Sequence, residues 1–542
     1  MADASLGPLD VASHFTAATY DDWLASIERT LRGRPISGVL EWVPASGLTL
    51  PRVIFGPEDA VLAPTAEAVS AFDLSHMLAG PSHTHVTEAK RALDLGADVI
   101  ALWPPEGQVE GELIALVGDR LRVCTAHQPN VPLSAWLPVV RPAANPSVLS
   151  SRVMIDGALF TEAGADAVTA LAWQLALANR YIRQRTDHGA GLGTCTVRVA
   201  LTLEPMLDVA RLTATQRVLH QFADAWRLDM DVQLHAVTSY RHQTMQDVHS
   251  NLIRASLQGT AAALAGVHTL TVRPYCAGDD EAIRWALGLG HLLRSESHFA
   301  TRPSVRDAWW ISTAAEEIAE QAWGRFQAIE AAGGFDAVWH SADGLPYLRA
   351  QHQRTVEALA MGTRTLVGTT RFLDDGTVEP APLVTPNDLP AALEAGPTRH
   401  ALERVSLAFE RLCARGRKAR HQRGLPPVLV VDLNPKRTAQ ARQLATDFFK
   451  MAGLEVKVIA SLTAYEPDQR LHVACVLGEA NSAEVASALQ TLEADQPGLL
   501  RYVVQHPTAL DAALQPYVDD CLHTDMNRLE LIHDLHLSLG LV

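Results

Sequence analysis

The stretch Val428-Leu429-Val430-Val431-Asp432-Leu433 is a short apolar run that is interrupted by a single carboxylate near its end. Runs of this length that are rich in valine are typical of a strand buried on both faces of a parallel sheet. A pattern with helical spacing follows from residue 439 to 452. The sequence therefore predicts a strand followed by a crossover helix at this point.

The same alternation continues toward the end of the chain. Further strand patterns cover 454–459, 473–477, 502–505 and 521–524, and a last helical pattern covers 528–539. Short connections between parallel strands require crossovers packed on the sheet. We therefore predict a flavodoxin-like doubly wound sheet of five strands with five crossover helices over residues 426–542.

A longer alternation precedes this domain. Residues 97–103 and 196–201 read as strands. Helical patterns cover 166–183, 213–226, 247–265, 281–295 and 313–332. An alternation of strands and helices over roughly 300 residues fits a barrel better than an open sheet. We predict a (β/α)8 TIM barrel over residues 56–375 and an α/β fold class for the chain.

The remaining segments are predicted to be an arm and a linker. In residues 1–55, Thr19 and Asp22 form a capping-box pattern at the start of a helix, and Gly33 closes it before an extended stretch. The apolar stripe of this helix, formed by Trp23, Leu24, Ile27 and Leu31, needs a surface to cover. Five prolines between 376 and 397 interrupt regular structure, so 376–425 is predicted to be a linker with a helix.

Composition excludes several classes of protein. The chain has 542 residues, 48% of them apolar, and a net charge of −16, which disfavours binding to nucleic acid. No stretch approaches the roughly 18 apolar residues needed to cross a bilayer. The six cysteines are scattered singly, which indicates neither a disulfide framework nor a zinc knuckle. We predict a cytoplasmic protein that binds neither nucleic acid nor a membrane.

The candidate metal and phosphate motifs are weak. His83-Thr84-His85 has the spacing of two metal-binding imidazoles, but no matching set follows, and a surface loop is the preferred interpretation. The segment Gly189-Ala190-Gly191-Leu192-Gly193 precedes a strand, whereas a dinucleotide loop follows one. Gly288 and Gly290 lie in a helical pattern and indicate close packing. Asp534-Leu535-His536 falls in the last helix, where His536 is interpreted as a satisfied or exposed histidine.

Several spaced segments, taken in order, resemble the methylmalonyl-CoA mutase family. Ala18-Thr19-Tyr20-Asp21-Asp22-Trp23-Leu24 with Leu31-Arg32-Gly33-Arg34-Pro35 is similar to the arm of its small subunits. Thr161-Glu162-Ala163-Gly164-Ala165-Asp166 is similar to a turn that opens a barrel helix in both subunits. Further similar segments are Thr238-Ser239 with Asp247 and Asn251 to Arg254, Gln327 to Gly334, and Asn434 to Arg442 with Ala445 to Phe449 and Ala452-Gly453.

The resemblance also exposes departures from the catalytic chains of the family. Those chains carry a tyrosine and a histidine where this chain has Ala158-Leu159, which offer no side-chain donor. They bind cobalt through a histidine in a loop whose positions correspond here to Pro435, Arg437 and Gln440, and a guanidinium cannot ligate cobalt. Asp307-Ala308-Trp309-Trp310 lacks an expected glycine pair.

The resemblance therefore implies a small, non-catalytic subunit with a degenerate cobalamin-binding domain. Adenosylcobalamin and the acyl-CoA substrate are expected on a catalytic large subunit, the heterodimer partner, and this chain alone is predicted to be inactive. We predict no catalytic, cofactor-binding or metal-ligating residue in it. The alternatives are a divergent acyl-CoA mutase or other barrel enzyme that uses His235, His242 or His249, and a stand-alone CoA-binding or sensor protein.

Overall fold

A computed structural model describes most of the chain. The described residues are 19–36, 40–45, 48–53, 72–78, 84–102, 111–117, 121–123, 152–186, 193–228, 230–276, 280–299, 305–373, 392–395, 398–465 and 470–541. No helix among them is long and apolar enough to cross a lipid bilayer.

The N-terminal part contains a helix and a hairpin. Helix α1 (Tyr20–Leu31) begins at the predicted capping box, in which Asp22 N donates to Thr19 Oγ1 at 3.2 Å and Thr19 N donates to Asp22 Oδ2 at 3.0 Å. No residue of α1 is fully buried. Strands β1 (Glu41–Ala45) and β2 (Leu48–Pro51) then form an antiparallel hairpin, and Leu48 and Leu50 enter the main core. The predicted extended arm thus contains a hairpin that packs on the barrel domain.

The main sheet contains seven parallel strands. They are β3 (Asp73–Met77), β4 (Val99–Leu102), β5 (Leu121–Val123), β6 (Arg152–Asp156), β7 (Gly193–Ala200), β8 (Met230–Val237) and β9 (Thr269–Thr271). Their order is β5-β4-β3-β9-β8-β7-β6, so the first strand pairs with the last. This pairing bends the sheet toward a barrel and is consistent with a TIM-like fold. An eighth strand stays a prediction, because residues 124–151 between β5 and β6 lie outside the described residues.

Helices cover the outer face of this sheet. They are α2 (His85–Asp94), α3 (Gly111–Val117), α4 (Ala158–Glu162), α5 (Ala167–Thr186), α6 (Pro205–Ala225), α7 (Ser250–Ala265), α8 (Asp280–His291), α9 (Trp309–Ala331), α10 (Phe335–Trp339) and α11 (Leu345–Ala360). The predicted helix at 213–226 was placed too late, because Pro205 occupies the first turn of α6 and starts it eight residues earlier. The predicted close packing is confirmed at Gly290, where a Cβ would strike Leu74 of β3, and is wrong at Gly288, where a Cβ would meet no atom within 4 Å.

The second sheet lies in the C-terminal domain. Its strands are β12 (Val428–Asp432), β13 (Val456–Ile459), β14 (Val473–Leu477), β15 (Leu500–Val504) and β16 (Asp520–Leu522). They are parallel, in the order β13-β12-β14-β15-β16, as in a doubly wound fold. Alternate residues of β12 enter two different cores, with Val428 and Val430 on one face and Leu429 and Val431 on the other.

The prediction of five crossover helices is wrong. The described residues of this domain contain α13 (Ala439–Met451), α14 (Ala483–Asp495) and α15 (Arg528–Ser538). In the described parts of the connections β13–β14 and β15–β16 there are only short 3₁₀ turns, at Leu462–Ala464, Pro507–Ala509 and Gln515–Tyr517. Of these two connections, β15–β16 joins neighbouring strands, whereas β13–β14 joins strands that β12 separates.

Between the two domains lie a hairpin and a helix. Strands β10 (Ala392–Ala395) and β11 (Thr398–Ala401) are antiparallel, and Leu393 is buried in the main core. The predicted linker of 376–425 therefore includes a hairpin that packs on the barrel domain. The predicted helix is α12 (Leu407–Arg423), which packs against α13 and α15.

Because α12 packs closely against the end of α13, we expect one added methyl group at this contact to destabilise the C-terminal domain. A Cβ on Gly416 would overlap the carbonyl oxygen of Ala452 and lie 3.1 Å from the Cα of Gly453. Gly416→Ala is expected to lower the free energy of unfolding of the C-terminal domain by about 1–3 kcal/mol, as measured by urea unfolding.

The matched control is Gly288→Ala in α8, where a Cβ meets no atom within 4 Å. This change is expected to be neutral or to stabilise by up to about 1 kcal/mol, because alanine has the higher helix propensity. Equal effects of the two substitutions would contradict the close packing at Gly416.

Candidate functional site

A layer of polar side chains crosses four neighbouring strands of the main sheet. Arg198 Nη1 lies 3.0 Å from Asp156 Oδ2, and His235 Nε2 lies 2.8 Å from Thr271 Oγ1. The strand register places Asp156 beside Arg198 and Arg198 beside His235. All four residues are at most 3% exposed. The buried polar layer thus consists of two bonded pairs, Asp156 with Arg198 and His235 with Thr271.

The next level toward the carboxyl ends of the strands is apolar. Ala158, Ala200 and Val237 form a small buried cluster of their own. The backbone N–H of Ala158 donates to Asp156 Oδ1 at 3.1 Å, and Leu159 is 6% exposed. Of these side chains, none offers a hydrogen-bond donor to a bound carbonyl or carboxylate.

Glu162 holds two loops together at this end of the sheet. Its carboxylate accepts bonds from the backbone N–H groups of Tyr240 and Arg241, at 2.9 and 2.8 Å, and from the hydroxyl of Ser239 at 3.2 Å. Gly164 then turns the chain with φ +110°, and α5 begins at Ala167. The predicted turn before a barrel helix is confirmed. Through these bonds, the Glu162 carboxylate positions the loop after β8.

Basic groups crowd the loop that follows β8. Nδ1 of His242 lies 3.2 Å from the Ser239 hydroxyl, and Arg241 bonds His352 of α11. Burial, with the neighbouring Arg241, lowers the pKa of both His242 and His352 to about 3. Burial also lowers the pKa of Arg241 to about 10, against the opposing effect of Glu162. Both imidazoles are therefore neutral at pH 7, and neither pKa is near the value that suits general acid–base catalysis at that pH.

Residues of the interdomain segment cover the same loop. Glu410 of α12 accepts from Met245 N at 2.8 Å and pairs with Arg404 at 2.7 Å. His400 of β11 bonds the carbonyl oxygen of Ala163 at 2.8 Å. Arg254 of α7 donates to the carbonyl oxygen of Val367 at 2.6 Å. In the described residues, the loop after β8 is therefore held in place by other parts of the same chain.

An open cleft of about 500 Å³ lies beside this end, and it is lined by Trp42, Arg52, Leu203, Glu204, Pro205, Met206 and Trp310. The Trp310 ring stacks on Trp42, and its N–H donates to the carbonyl oxygen of Pro51 at 2.6 Å. Burial raises the pKa of Glu204, against the opposing charge of Arg364. The segment that lacks the expected glycine pair thus forms one wall of a mostly apolar cleft.

The turn after β12 lies where the resemblance places a cobalamin-binding loop. Thr438 Oγ1 bonds Asp432, whose other oxygen accepts from Arg442 Nη1 at 2.9 Å. Asn434 accepts through its carbonyl oxygen from Thr438 Oγ1 at 2.7 Å, which closes the turn. Pro435, Arg437 and Gln440 are exposed, and none of them can ligate cobalt. The described residues of this turn do not fit the lower face of cobalamin.

The other sequence-predicted positions do not converge. His235 lies inside the sheet, His242 lies under Ser239, and His249 is exposed and stacks on Tyr275. His536 is buried in α15 and bonds the carbonyl oxygen of Ala452 at 2.9 Å, as expected of a satisfied helix histidine.

Two predicted motifs lie partly outside the described residues. Residues 79–83 and 187–192 lie outside the described residues, and these ranges include His83 and most of the glycine-rich segment. Within the described part, His85 is buried at the start of α2.

Sequence reasoning missed the roles of Asp156 and Glu162. Asp156 ends a predominantly apolar strand, as Asp432 does in β12, and this shared pattern of a terminal carboxylate was the available signal. Glu162 gave no comparable signal, because its partners, one hydroxyl and two backbone N–H groups, lie 77 to 79 residues away.

The buried ion pair predicts that neutralising a carboxylate inside the sheet destabilises the protein far more than neutralising one at the surface. Asp156→Asn would leave the guanidinium of Arg198 uncompensated, so the free energy of unfolding should fall by about 3 kcal/mol or more in urea titrations. Glu281→Gln, in the exposed pair with Arg284, should change it by less than about 1 kcal/mol. Similar small losses for both variants would contradict the enclosed pair.

The neutral histidines predict acid sensitivity. Below the ordinary histidine pKa of 6.5, the unfolded chain takes up a proton that folded His242 does not take up until about pH 3. Stability should therefore fall as the pH falls through this window, by up to about 1.4 kcal/mol per pH unit for one such group. Between pH 7 and 5, His242→Asn should reduce the slope of the unfolding free energy against pH by the amount that corresponds to about one bound proton. The free energy is measured by urea unfolding. His421→Asn, at an exposed position, should leave the slope unchanged, and an equal slope in both variants would refute the assignment.

The chain is similar to proteins of one known family. A family model described as methylmalonyl-CoA mutase matches residues 142–394. The methylmalonyl-CoA mutase small subunit of Propionibacterium freudenreichii subsp. shermanii is 25% identical over 391 residues, spanning 69% of this chain and 56% of the relative. The chain thus covers less than two thirds of that relative's length.

Two other relatives show how the similarity is distributed. The probable methylmalonyl-CoA mutase small subunit of Mycobacterium tuberculosis is 26% identical over 560 residues, spanning 93% of this chain and 85% of the relative. The large subunit from Propionibacterium freudenreichii subsp. shermanii is 27% identical over 239 residues, spanning 41% of this chain and 32% of the relative. The similarity to these two small subunits extends over more of the chain than the similarity to this large one.

Proposed function

Because this chain is a member of the methylmalonyl-CoA mutase family, we propose that it is the small, non-catalytic subunit of a heterodimeric, adenosylcobalamin-dependent mutase. Its partner would be a catalytic large subunit that interconverts methylmalonyl-CoA and succinyl-CoA. The observation that carries the proposal is the carboxyl end of the barrel sheet, where Ala158, Ala200 and Val237 present no donor and the surrounding polar groups bond one another.

The sheet interior argues against a substrate channel in this chain. A reaction that rearranges a thioester needs donors aimed at the carbonyl oxygen and a dry, lined cavity for the intermediates. Here Arg198 is engaged by Asp156, and Glu162 is engaged by backbone N–H groups. We therefore assign the acyl-CoA to the partner's barrel, and we propose that this chain's seven described strands belong to an eight-stranded barrel.

The second domain supports the same assignment for the cofactor. The family is generally cobalamin-dependent, and cobalamin supplies the radical chemistry when it is bound. In this chain the turn after β12 is closed by Asp432, Asn434 and Thr438. We propose that the large subunit binds the single adenosylcobalamin and that residues 426–542 are a degenerate copy of the cobalamin domain.

The arm is proposed as a subunit contact. The apolar stripe of α1, formed by Trp23, Leu24, Ile27 and Leu31, is partly exposed, although the helix is well capped. An amphipathic helix of 12 residues gains little stability without a surface to pack on. A hydrophobic groove on the large subunit would provide that surface.

The competing enzyme hypothesis has less support. It requires His235, His242 or His249 to act on a substrate. In the described structure, His235 bonds Thr271 and His242 is held neutral among arginines. Only His249 is exposed, where it stacks on Tyr275.

The expected cytoplasmic location also remains part of the proposal and is based on the isolated cysteines.

The deciding experiment measures mutase turnover and cobalamin content for this chain alone and after co-expression with a candidate large subunit. We expect no turnover and no bound cobalamin for the isolated chain. The co-expressed proteins should form a 1:1 complex with one cobalamin per pair and full activity. Turnover by the isolated chain, or the lack of any stable partner, would overturn the proposal.

A variant of α1 tests the contact within the same experiment. Leu24→Asp places a charge in the apolar stripe and should reduce recovery of the 1:1 complex by roughly tenfold, since it removes one buried anchor. Glu28→Lys, on the exposed face of the same helix, should leave recovery unchanged. Equal recovery of both variants would exclude α1 from the interface.

A further inference from the structure

A cluster of potential metal ligands lies in the C-terminal domain, away from the turn after β12. One ring nitrogen each of His506 and His523 and a carboxylate oxygen of Asp525 lie within 4.8 Å of one another. The two imidazole rings are 4.7 Å apart at their centroids and meet edge to face. Two imidazoles and a carboxylate are a donor set that suits Zn²⁺ and neighbouring transition metals.

The fold brings these residues together. His506 follows β15 and His523 follows β16, and these strands are parallel neighbours with Val504 beside Leu522. The carboxyl ends of adjacent parallel strands lie at the same edge of the sheet, where doubly wound domains place their ligands. The cluster is therefore held by the strand register across a separation of 17 residues in sequence.

The hydrogen bonds of the two imidazole rings indicate which ring nitrogens can bind a metal ion. Nδ1 of His523 is buried and has no hydrogen-bond partner among the described residues. Nδ1 of His506 lies 2.7 Å from the hydroxyl oxygen of Thr508. Nδ1 also accepts from the backbone N–H of Thr508 at 3.3 Å, which places the ring proton on Nε2 in the metal-free protein. Binding of a metal ion through Nε2 would move this proton to Nδ1, where it can be donated to the Thr508 hydroxyl in place of the 3.3 Å bond, and such a hydrogen bond orients metal-binding histidines.

The carboxylate completes the set from an exposed position. Asp525 accepts a 3.3 Å bond from Thr524 Oγ1, its neighbour in sequence, and this bond does not restrict access to the other oxygen. Bonds of about 2.0–2.1 Å to a tetrahedral ion would draw the three ligand atoms to roughly 3.4 Å from one another. The exposed side chains of His506 and Asp525 can rotate to close this distance.

We propose that His506, His523 and Asp525 bind one divalent transition-metal ion, of which Zn²⁺ is the best match. The ion would link the carboxyl ends of β15 and β16. Three protein ligands leave a fourth coordination position for water or for a side chain of a partner chain. The site does not depend on the proposed mutase function, because it rests on residues outside the barrel and outside the turn after β12.

The test uses the full chain, freed of metal by a chelator and without a histidine tag. Co²⁺ is titrated while its visible absorption is followed, and Zn²⁺ is then added as a competitor. We expect one tight equivalent whose absorption is lost on addition of Zn²⁺. His506→Ala and His523→Ala should each weaken this equivalent by about 100-fold or more, since loss of even an outer-shell partner costs about 10–100-fold.

His533→Ala is the matched control, because His533 is exposed on α15 of the same domain and is not one of the three ligands. It should titrate as the unaltered protein does. Asp525→Asn retains the shape of the side chain and should weaken binding without changing the fold. Circular dichroism of the metal-free variants separates loss of binding from loss of structure. The same titration in all variants, or no tight equivalent in the unaltered chain, would overturn the proposal.

Discussion

The buried ion pair between Asp156 and Arg198 determines what the centre of the main sheet can contain. Two charges removed from water must satisfy one another, and a ligand that displaced either partner would leave the other charge isolated at a cost of several kcal/mol. The neighbouring His235 and Thr271 extend the same layer across two further strands. Next to it, Ala158, Ala200 and Val237 form a small buried apolar cluster.

The same principle links the barrel domain to the C-terminal domain. Glu410 belongs to α12, which packs against the C-terminal domain, yet its carboxylate accepts from a backbone N–H in the loop after β8. Arg404 balances its charge at 2.7 Å. Buried charges that are shared between segments are sensitive to the relative position of those segments, because a small displacement leaves one of them unpaired. The two domains are therefore joined by polar contacts of defined geometry as well as by apolar packing.

Much of the fold followed from the sequence, because its periodicity is strong. Strands such as β12 and β14 are continuous apolar runs, and the capping box at Thr19 has an unambiguous spacing. The hairpin of β10 and β11 was not predicted, since its short strands lie among prolines that favour a linker. The helices expected in two of the crossovers were replaced by 3₁₀ turns, and pattern alone does not set how a short connection packs.

The site was less accessible to sequence reasoning than the fold. Ala158 and Leu159 could be recognised as lacking donors, because the property belongs to the residue types themselves. The bonds of Glu162 to Tyr240 and Arg241 could not be predicted, since they join loops that are distant in sequence and involve backbone groups. The neutral state of His352 likewise depends on burial and on Arg241, which only the folded chain brings together.

The closed turn after β12 has a consequence for the order in which a complex is assembled. In a domain whose strand ends await a ligand, polar groups at the sheet edge remain unsatisfied until the ligand arrives, so folding and loading are coupled. Here Asp432 already has Thr438 and Arg442 as partners. The turn after β12 can therefore close as soon as the chain folds, because its carboxylate already has partners within the chain.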